Sequence, residues 1–252
     1  RQMCIRDSHY VVSGQKIWTS HAMVADHCEL LVRTDPEAPK HKGITWLIMP
    51  MDAPGIDVRP LMTVQGSAEF AELFLDEVRI PVANRVGEEN DGWRVTNVTL
   101  SFERGTGFVG ELLDTTNVMR ELVELAQRTP RGAGTAWDDD GLRRDIGSVA
   151  AELDALWAFT KRNVSQGAKG GMAMGSGSAF KMSYAAVVHR LGDLALRVLD
   201  RSSLAFDDID GEPTGAQLHH KLKGFAVGIG GGTSQIQQNI IADRVLGLPR
   251  ER

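Results

Sequence analysis

The spacing of apolar residues divides the chain into two parts. Up to about residue 86, apolar residues form short runs or alternate with polar ones between glycines and prolines, and this pattern predicts β-strands. The predicted strands cover residues 9–13, 15–20, 28–33, 44–49 and 70–80, with Gly14 separating the first two. Residues 70–80 alternate, which predicts that Ala71, Leu73, Leu75 and Glu77 share one face.

From Gly87 onward, apolar residues recur every three or four positions, as they do in amphipathic helices. A first long helix is predicted to end near Pro130. A second begins at Asp139 or Asp140, where acidic side chains suit a helix N-terminus, and runs to about residue 166. Further helices are predicted over residues 178–201, 214–227 and 233–246.

These elements predict an α+β fold with segregated layers. Residues 9–86 are expected to form a β-domain, as a partial barrel or a sandwich. Residues 87–252 are expected to form an antiparallel bundle of four or five helices. Residues 1–8 lack a strand-like pattern, and we interpret them as a non-native leader.

Composition and charge narrow the function classes. The 252 residues are 42% hydrophobic and 24% charged, enough for one large domain or two smaller ones. A net charge of -5 gives no general attraction to nucleic acid, and no apolar run reaches the length of a membrane span. The two cysteines, Cys4 and Cys28, have neither disulfide-framework nor metal-ligand spacing. We therefore expect a soluble, cytoplasmic protein without a metal.

The densest chemical motif of the first part is GQKIWTS, at residues 14–20. Trp18 offers a flat aromatic face, and Ser20 offers a hydroxyl two residues later, on the same face of a regular strand. Together they could stack on a planar heteroaromatic group and hydrogen-bond to it. The alternative is an ordinary strand whose tryptophan belongs to the core.

A glycine-rich segment lies near the C-terminus, with the sequence GIGGGTSQIQ at residues 228–237. Glycines permit close backbone approach, and just before a helix N-terminus they suit an anion or a phosphate. Ser234 and Gln237 fit a capping box for that helix. The alternative is a flexible connection between helices, because the segment is not a Walker A or GxGxxG motif.

Glu103 and Arg104 interrupt the apolar stripe of the first long helix. Between Phe102 and Phe108 the Glu103 carboxylate would be partly desolvated, which would raise its pKa towards that of a general base. Arg104 would oppose that shift. The alternative is a solvated charged pair on the outer face of the helix.

Four segments, in this order, resemble the acyl-CoA dehydrogenase family over nearly the whole chain. They are YVVSGQKIWTS at 10–20, FLDEVRIP at 74–81, VGEENDGW at 86–93, and GTSQIQ at 232–237 followed by IIADR at 240–244. The resemblance implies an FAD enzyme that desaturates an acyl-CoA between Cα and Cβ and passes electrons to an electron-transfer flavoprotein. It also implies a bacterial homodimer or homotetramer, and a hetero-oligomer fits the same amphipathic helices.

The resemblance assigns cofactor contacts by position. It places Trp18 beside the flavin ring and Ser20 near the N5/O4 edge of that ring. Thr233 and Gln235 are assigned to the FAD dinucleotide. Arg128 is assigned to the FAD pyrophosphate of a neighbouring subunit, although the three residues that follow it depart from the family motif.

The catalytic base departs from the commonest family pattern. Many members carry a Glu directly before the Gly-Thr of the C-terminal motif, where this chain has Gly231. A smaller branch carries the base on the long helix before an arginine, and Glu103-Arg104 matches that placement. The resemblance therefore implies Glu103 as the base for the α-proton and Arg104 as a substrate-binding residue. The missing side chain at Gly231 implies a wider acyl pocket.

Two other functions fit the same residues. An acyl-CoA oxidase would pass the electrons to oxygen, and a non-catalytic partner subunit would supply FAD contacts within a hetero-oligomer. Gly231 favours the partner subunit, and Glu103 argues against it. Family members also carry a helical domain and flavin-binding strands ahead of the segment that begins here at His9, so we expect this chain by itself to be inactive.

Overall fold

The structure of the protein is a computed structural model that describes residues 4–6, 8–103, 108–169 and 175–249. For residues 4–6, 101–103 and 108 it describes the backbone alone. The chain divides into two compact units, Arg1–Ser101 and Phe102–Arg252.

The first unit is built from antiparallel strands, as the sequence predicts. They are β1 (Cys4–Arg6), β2 (His9–Ser20), β3 (His27–Arg33), β4 (Ile44–Pro50), β5 (Ile56–Leu61), β6 (Phe70–Pro81) and β7 (Arg85–Val86). A four-stranded sheet has the order β1-β2-β6-β5, and a three-stranded sheet has the order β3-β4-β7. The helix α1 (Gly92–Glu103) follows the last strand.

Both sheets contribute to one apolar core. Tyr10 and Leu73 of the four-stranded sheet, and Leu30 and Leu47 of the three-stranded sheet, are almost fully buried in the same cluster. Over the described residues each sheet pairs only within itself. The two sheets therefore form a sandwich and do not close into a barrel.

A bulge changes the predicted faces of β2 and β6. Strand β2 continues through Gly14, and its register with β6 shifts between Val12 and Gly14. On the β6 side, Glu77 has a φ of 50° and is exposed, whereas Leu75 and Val78 are buried. The prediction that Glu77 shares the face of Leu75 is wrong, because the extra residue shifts the alternation by one position.

In the first unit, three strands lie where the sequence predicts none. Strand β5 contains Pro60, which is tolerated because β5 lies at a sheet edge. Strand β7 has only two residues. Strand β1 pairs with the start of β2 although residues 1–8 lack a strand-like pattern, so its pairing and not its hydrophobicity defines it.

In its described part, the second unit contains five α-helices around one apolar core. They are α2 (Phe108–Arg128), α3 (Asp140–Ala168), α4 (Ser176–Leu199), α5 (Thr214–Ile229) and α6 (Ser234–Arg244). The short strands β8 (Pro130–Arg131) and β9 (Gly134–Thr135) pair between α2 and α3. The α+β class with five helices in the second part is thus confirmed. No helix in the described ranges has the length and apolar character needed to cross a membrane.

The helix boundaries follow local capping. Helix α3 begins where the sequence predicts, because the Asp139 side chain accepts a hydrogen bond from the Leu142 N–H at 3.0 Å. Backbone N–H groups at this helix start lower the pKa of Asp139. The predicted first long helix corresponds to α1 and α2, and residues 104–107 between them lie outside the described residues.

Candidate functional site

Trp18 lies at a second bulge of β2, where the register with β6 shifts between Lys16 and Thr19. Its φ of 61° is in the left-handed region, which costs a non-glycine residue about 1–2 kcal/mol. The side chain is 63% exposed and meets the Phe70 ring edge-on, with 5.9 Å between ring centroids. A core tryptophan is excluded, and an exposed aromatic ring on strained backbone is typical of a binding site.

Ser20 is the last residue of β2, where it pairs with Phe70 and is exposed. The prediction that Trp18 and Ser20 share a face assumes a regular strand. That assumption is wrong, because the bulge at Trp18 breaks the two-residue alternation. The exposed side chains of Trp18 and Ser20 nevertheless lie at the same end of β2.

The glycine-rich segment forms the connection between α5 and α6. Gly231 and Gly232 have φ values of 68° and 99°, a region that glycine enters without strain. The Oγ1 of Thr233 accepts a hydrogen bond from the Ile236 N–H at 3.4 Å, so Thr233 is the N-cap of α6. The predicted capping box with Ser234 as the cap is wrong, because the helix begins at Ser234, one residue earlier than that box requires.

Gln237 holds this connection from the first turn of α6. Its side chain is 1% exposed, and Nε2 donates to the carbonyls of Gly231 at 2.9 Å and Gly232 at 3.3 Å. These bonds argue against a flexible linker. Its Oε1 is buried and has no hydrogen-bond partner among the described residues. An unsatisfied buried oxygen costs free energy, so a ligand donor or a water would be stabilised at this atom.

The start of α6 suits a negatively charged group. The unpaired N–H groups of a first helical turn and the helix dipole both favour a phosphate at this end. Thr233 stands at the cap, and Gln235 is exposed in the first turn. The geometry of this helix start therefore fits the phosphate-binding role that the sequence predicts for the segment.

Arg128 ends α2 and forms an ion pair with a residue outside the helix. Its Nε lies 2.9 Å from Oε2 of Glu212, and the two side chains are 46% and 47% exposed. An exposed pair of this kind contributes little to stability. Arg128 can therefore exchange Glu212 for another anion at low cost.

Glu103 is the last residue of α1. Its side chain and all of Arg104 lie outside the described residues. The roles of Glu103 as base and of Arg104 as a substrate-binding residue therefore stay predictions.

A buried lysine that the sequence analysis does not identify lies next to Gly231. Lys181 of α4 is 6% exposed, and its Nζ donates to the Val227 carbonyl near the end of α5. A Cβ built on Gly231 would lie 3.5 Å from Lys181 Cε. Burial lowers the pKa of Lys181, and the charge of Glu111 opposes that shift. In the sequence, the burial of this residue is indicated by its position as a single lysine within the apolar stretch AFKMSYAAVV, at residues 179–188.

The adjacent histidines of α5 offer no metal site. The ring of His219 meets Phe206 edge-on, with 5.7 Å between ring centroids. Throughout the part of the chain that the structure describes, no three His, Cys, Asp or Glu side chains lie together as metal ligands would.

Two family models match most of the sequence. The model of the acyl-CoA dehydrogenase C-terminal domain matches residues 90–246, and the model of the middle domain matches residues 2–78. The chain belongs to the acyl-CoA dehydrogenase family.

Curated relatives of this member of the acyl-CoA dehydrogenase family include two mycobacterial proteins. It is 37% identical over 245 residues to acyl-CoA dehydrogenase IpdE1 of Mycobacterium tuberculosis, covering 96% of this chain and 60% of that protein. It is 36% identical over 247 residues to IpdE1 of Mycolicibacterium smegmatis, covering 97% and 59%. The chain thus spans about 60% of the length of these relatives.

Solved structures of the family share the fold. The ChsE4-ChsE5 complex from Mycobacterium tuberculosis is 31% identical, with a TM-score of 0.86, over 99% of this chain and 64% of that one. The Tcur3481-Tcur3483 steroid ACAD is 27% identical, with a TM-score of 0.90 and the same coverage. The first of these structures is a complex of two differently named proteins, and the name of the second also joins two protein names.

Proposed function

We propose that this chain supplies the middle and C-terminal parts of an FAD-dependent acyl-CoA dehydrogenase. The observation that carries the proposal is the junction of the glycine-rich connection with α6. Gly231 and Gly232 adopt positive φ, and Thr233 caps α6, whose first-turn N–H groups favour an anion. This arrangement suits a dinucleotide phosphate, and the family supplies a cofactor that has one.

The residues of this chain fit the expected cofactor. Thr233 and Gln235 would hold the dinucleotide at the start of α6, and Arg128 would reach the pyrophosphate in a neighbouring subunit. Trp18 would lie beside the ring system, which its exposed aromatic face allows. Ser20, exposed at the end of β2, would donate a hydrogen bond to the ring edge. When bound, FAD accepts a hydride from Cβ of the substrate.

The chemistry of the chain itself is proton abstraction. Glu103 takes the α-proton of the acyl-CoA, and the electron pair of that C–H bond forms the Cα=Cβ double bond as the hydride leaves Cβ. Arg104, the next residue, binds the substrate. Electron-transfer flavoprotein takes the electrons afterwards, and reoxidation by oxygen would instead identify an acyl-CoA oxidase.

Glu103 is chosen as the catalytic base because position 231 is a glycine. Gly231 has no side chain to accept a proton, and its φ of 68° would strain any other residue. The base must therefore come from elsewhere, and the match of Glu103-Arg104 to one family branch supports this residue.

The test is Glu103→Gln in the complete FAD-loaded enzyme. We expect the variant to keep its flavin but to lose bleaching of the flavin by acyl-CoA, because the α-proton has no acceptor. Glu124→Gln, an exposed carboxylate on α2, is the matched control and should bleach like the wild type. Full bleaching of the flavin by acyl-CoA in the Glu103→Gln variant would show that another group is the base.

The second candidate function is a partner subunit of a hetero-oligomeric acyl-CoA dehydrogenase. One similar solved structure named above is a complex of two differently named proteins, and Gly231 leaves the commonest base position empty. Purification of the complete protein by itself discriminates the two functions. A yellow homo-oligomer that acyl-CoA reduces is the enzyme, whereas a colourless protein that becomes active only with a second chain is the partner subunit. We place either form in the bacterial cytoplasm.

A further inference from the structure

Lys181 is a buried cation without a counter-ion in the described part of the chain. Two other basic side chains of this unit have acidic partners: Lys221 Nζ lies 2.5 Å from an Asp193 oxygen, and Arg190 pairs with Glu152. Lys181 instead donates to one neutral acceptor, the Val227 carbonyl, although an ammonium group has three N–H donors. A buried charge with only a neutral partner has a large desolvation cost, so an anion beside it would be stabilised.

Glu111 does not supply that anion. Its charge acts on Lys181, but the two side chains form no ion pair among the described residues. Glu111 also interacts with Asp114 and Lys223, and burial together with Asp114 raises its own pKa. Its carboxylate is therefore not a dedicated partner of Lys181.

The missing side chain at position 231 leaves a gap over Lys181. Lys181 Cε, at 3.5 Å, is the only described atom outside the adjacent chain within 4 Å of a Cβ built on Gly231. Gly231 itself is exposed, and its φ of 68° keeps the position as glycine. A ligand group about the size of a side chain can therefore approach the amine over Gly231.

We propose that Lys181 binds a carboxylate carried on the acyl group of the substrate, reached over Gly231. The inference rests on the proposed function: position 231 is where many family members carry the base for the α-proton, so it borders the acyl group in that function. The substrate class is then an acyl-CoA thioester with a second carboxylate on its acyl chain. Lys181 acts as a specificity-determining residue, and the hydrogen bond to Val227 fixes its amine in place.

The test compares adipoyl-CoA with hexanoyl-CoA, which have equal chain length and differ in the terminal carboxylate. In the complete FAD-loaded enzyme, competition binding and kcat/KM for flavin reduction are measured for both. We expect the wild type to prefer adipoyl-CoA roughly 10- to 100-fold, the effect of one hydrogen bond to a charged group. Lys181→Met should abolish that preference, mainly through KM and binding, and Lys181→Arg should keep part of it.

Two controls separate specificity from folding. Lys221→Met removes a lysine of the same unit that already has Asp193, and it should leave the preference unchanged. Lys181→Gln retains a donor for Val227, and it should fold like the wild type yet lose the preference. If the role of Lys181 is purely structural, its replacement should lower kcat/KM equally for both thioesters and keep the ratio of the two values. That result would overturn the inference.

Failure of the proposed function has a different signature. If no acyl-CoA thioester reduces the flavin or binds, the proposed function fails and the inference fails with it. If hexanoyl-CoA reduces the flavin as well as adipoyl-CoA does, the enzyme stands and the role of Lys181 is refuted.

Discussion

Arg128 donates from Nε to Oε2 of Glu212 at 2.9 Å, and this bond joins the end of α2 to the segment that precedes α5. The pair lies at the surface, so its contribution to folding is small. Under the proposed function the same guanidinium binds the FAD pyrophosphate of a neighbouring subunit. Glu212 then acts as a temporary partner that orients Arg128 while no phosphate is present.

Replacement of the two partners should separate these roles. Arg128→Gln should weaken FAD retention roughly tenfold or more, the effect of losing one hydrogen bond between charged groups. Glu212→Gln should retain FAD at least as well as the wild type, because a competing anion is removed. Either change should alter the free energy of unfolding by less than about 1 kcal/mol. FAD release on dilution and urea unfolding measure the two effects.

The control for Arg128 is Arg120→Gln, an exposed arginine on the same helix that hydrogen-bonds to Asn117. It should leave FAD retention unchanged. Equal FAD release from the Arg128 and Arg120 variants would contradict the assignment of Arg128 to the pyrophosphate.

A second prediction concerns the N-cap of α6. Thr233→Ala should lower the free energy of unfolding by about 1 kcal/mol, because the Ile236 N–H loses its acceptor. Thr233→Ser retains the hydroxyl and should recover most of that loss. Ser234→Ala should have the smaller effect, since Ser234 lies inside the helix. The opposite order of Thr233→Ala and Ser234→Ala in urea unfolding would show that Ser234 is the cap.

Much of the fold was predictable because burial follows a period. The predicted strand at residues 44–49 is β4, and the predicted helix from Asp139 or Asp140 is α3. Strand β5 was not predicted, because an edge strand with a proline needs only a neighbour to pair with. The bulges at Trp18 and Glu77 were not predicted, because they depend on register with another strand.

The candidate site shows the same division. The glycine-rich segment was predictable as a special backbone, since glycines followed by a helix start are a local feature. The hydrogen bonds of Gln237 to Gly231 and the burial of Lys181 beside that glycine are tertiary contacts. No local pattern specifies them, although a lysine inside an apolar stretch was a sign that sequence reasoning could have used.

A third prediction concerns the strained backbone at Trp18. In an ordinary strand, glycine is less stable than alanine by about 0.5–1 kcal/mol. At a φ of 61° that order should reverse, so Trp18→Gly should be more stable than Trp18→Ala by about 1 kcal/mol. Both variants lose the ring and should lose FAD fluorescence quenching alike. Urea unfolding measures the difference, and an Ala variant as stable as the Gly variant would exclude strain at this residue.

The last prediction concerns pH. Glu111 is an exposed residue of α2, and partial desolvation of its carboxylate together with the charge of Asp114 raises its pKa. In the unfolded chain a glutamate titrates near about 4.3. Between that value and the raised folded value, the folded chain holds a proton that the unfolded chain has lost, so the free energy of unfolding falls as pH rises. Glu111→Gln should remove this part of the decline, and Glu124→Gln on the same helix is the matched control.

Urea unfolding from about pH 4 to about pH 7 measures the effect, because this interval begins near the unfolded pKa. The stability of Glu111→Gln relative to the wild type should increase with pH across that window and then level off, since both forms of the wild type are ionised above the folded pKa. A constant difference between the two proteins would mean that Glu111 titrates alike in the folded and unfolded chains. The Glu111 carboxylate would then be fully solvated, and the neighbourhood of Lys181 would be more polar than the structure indicates.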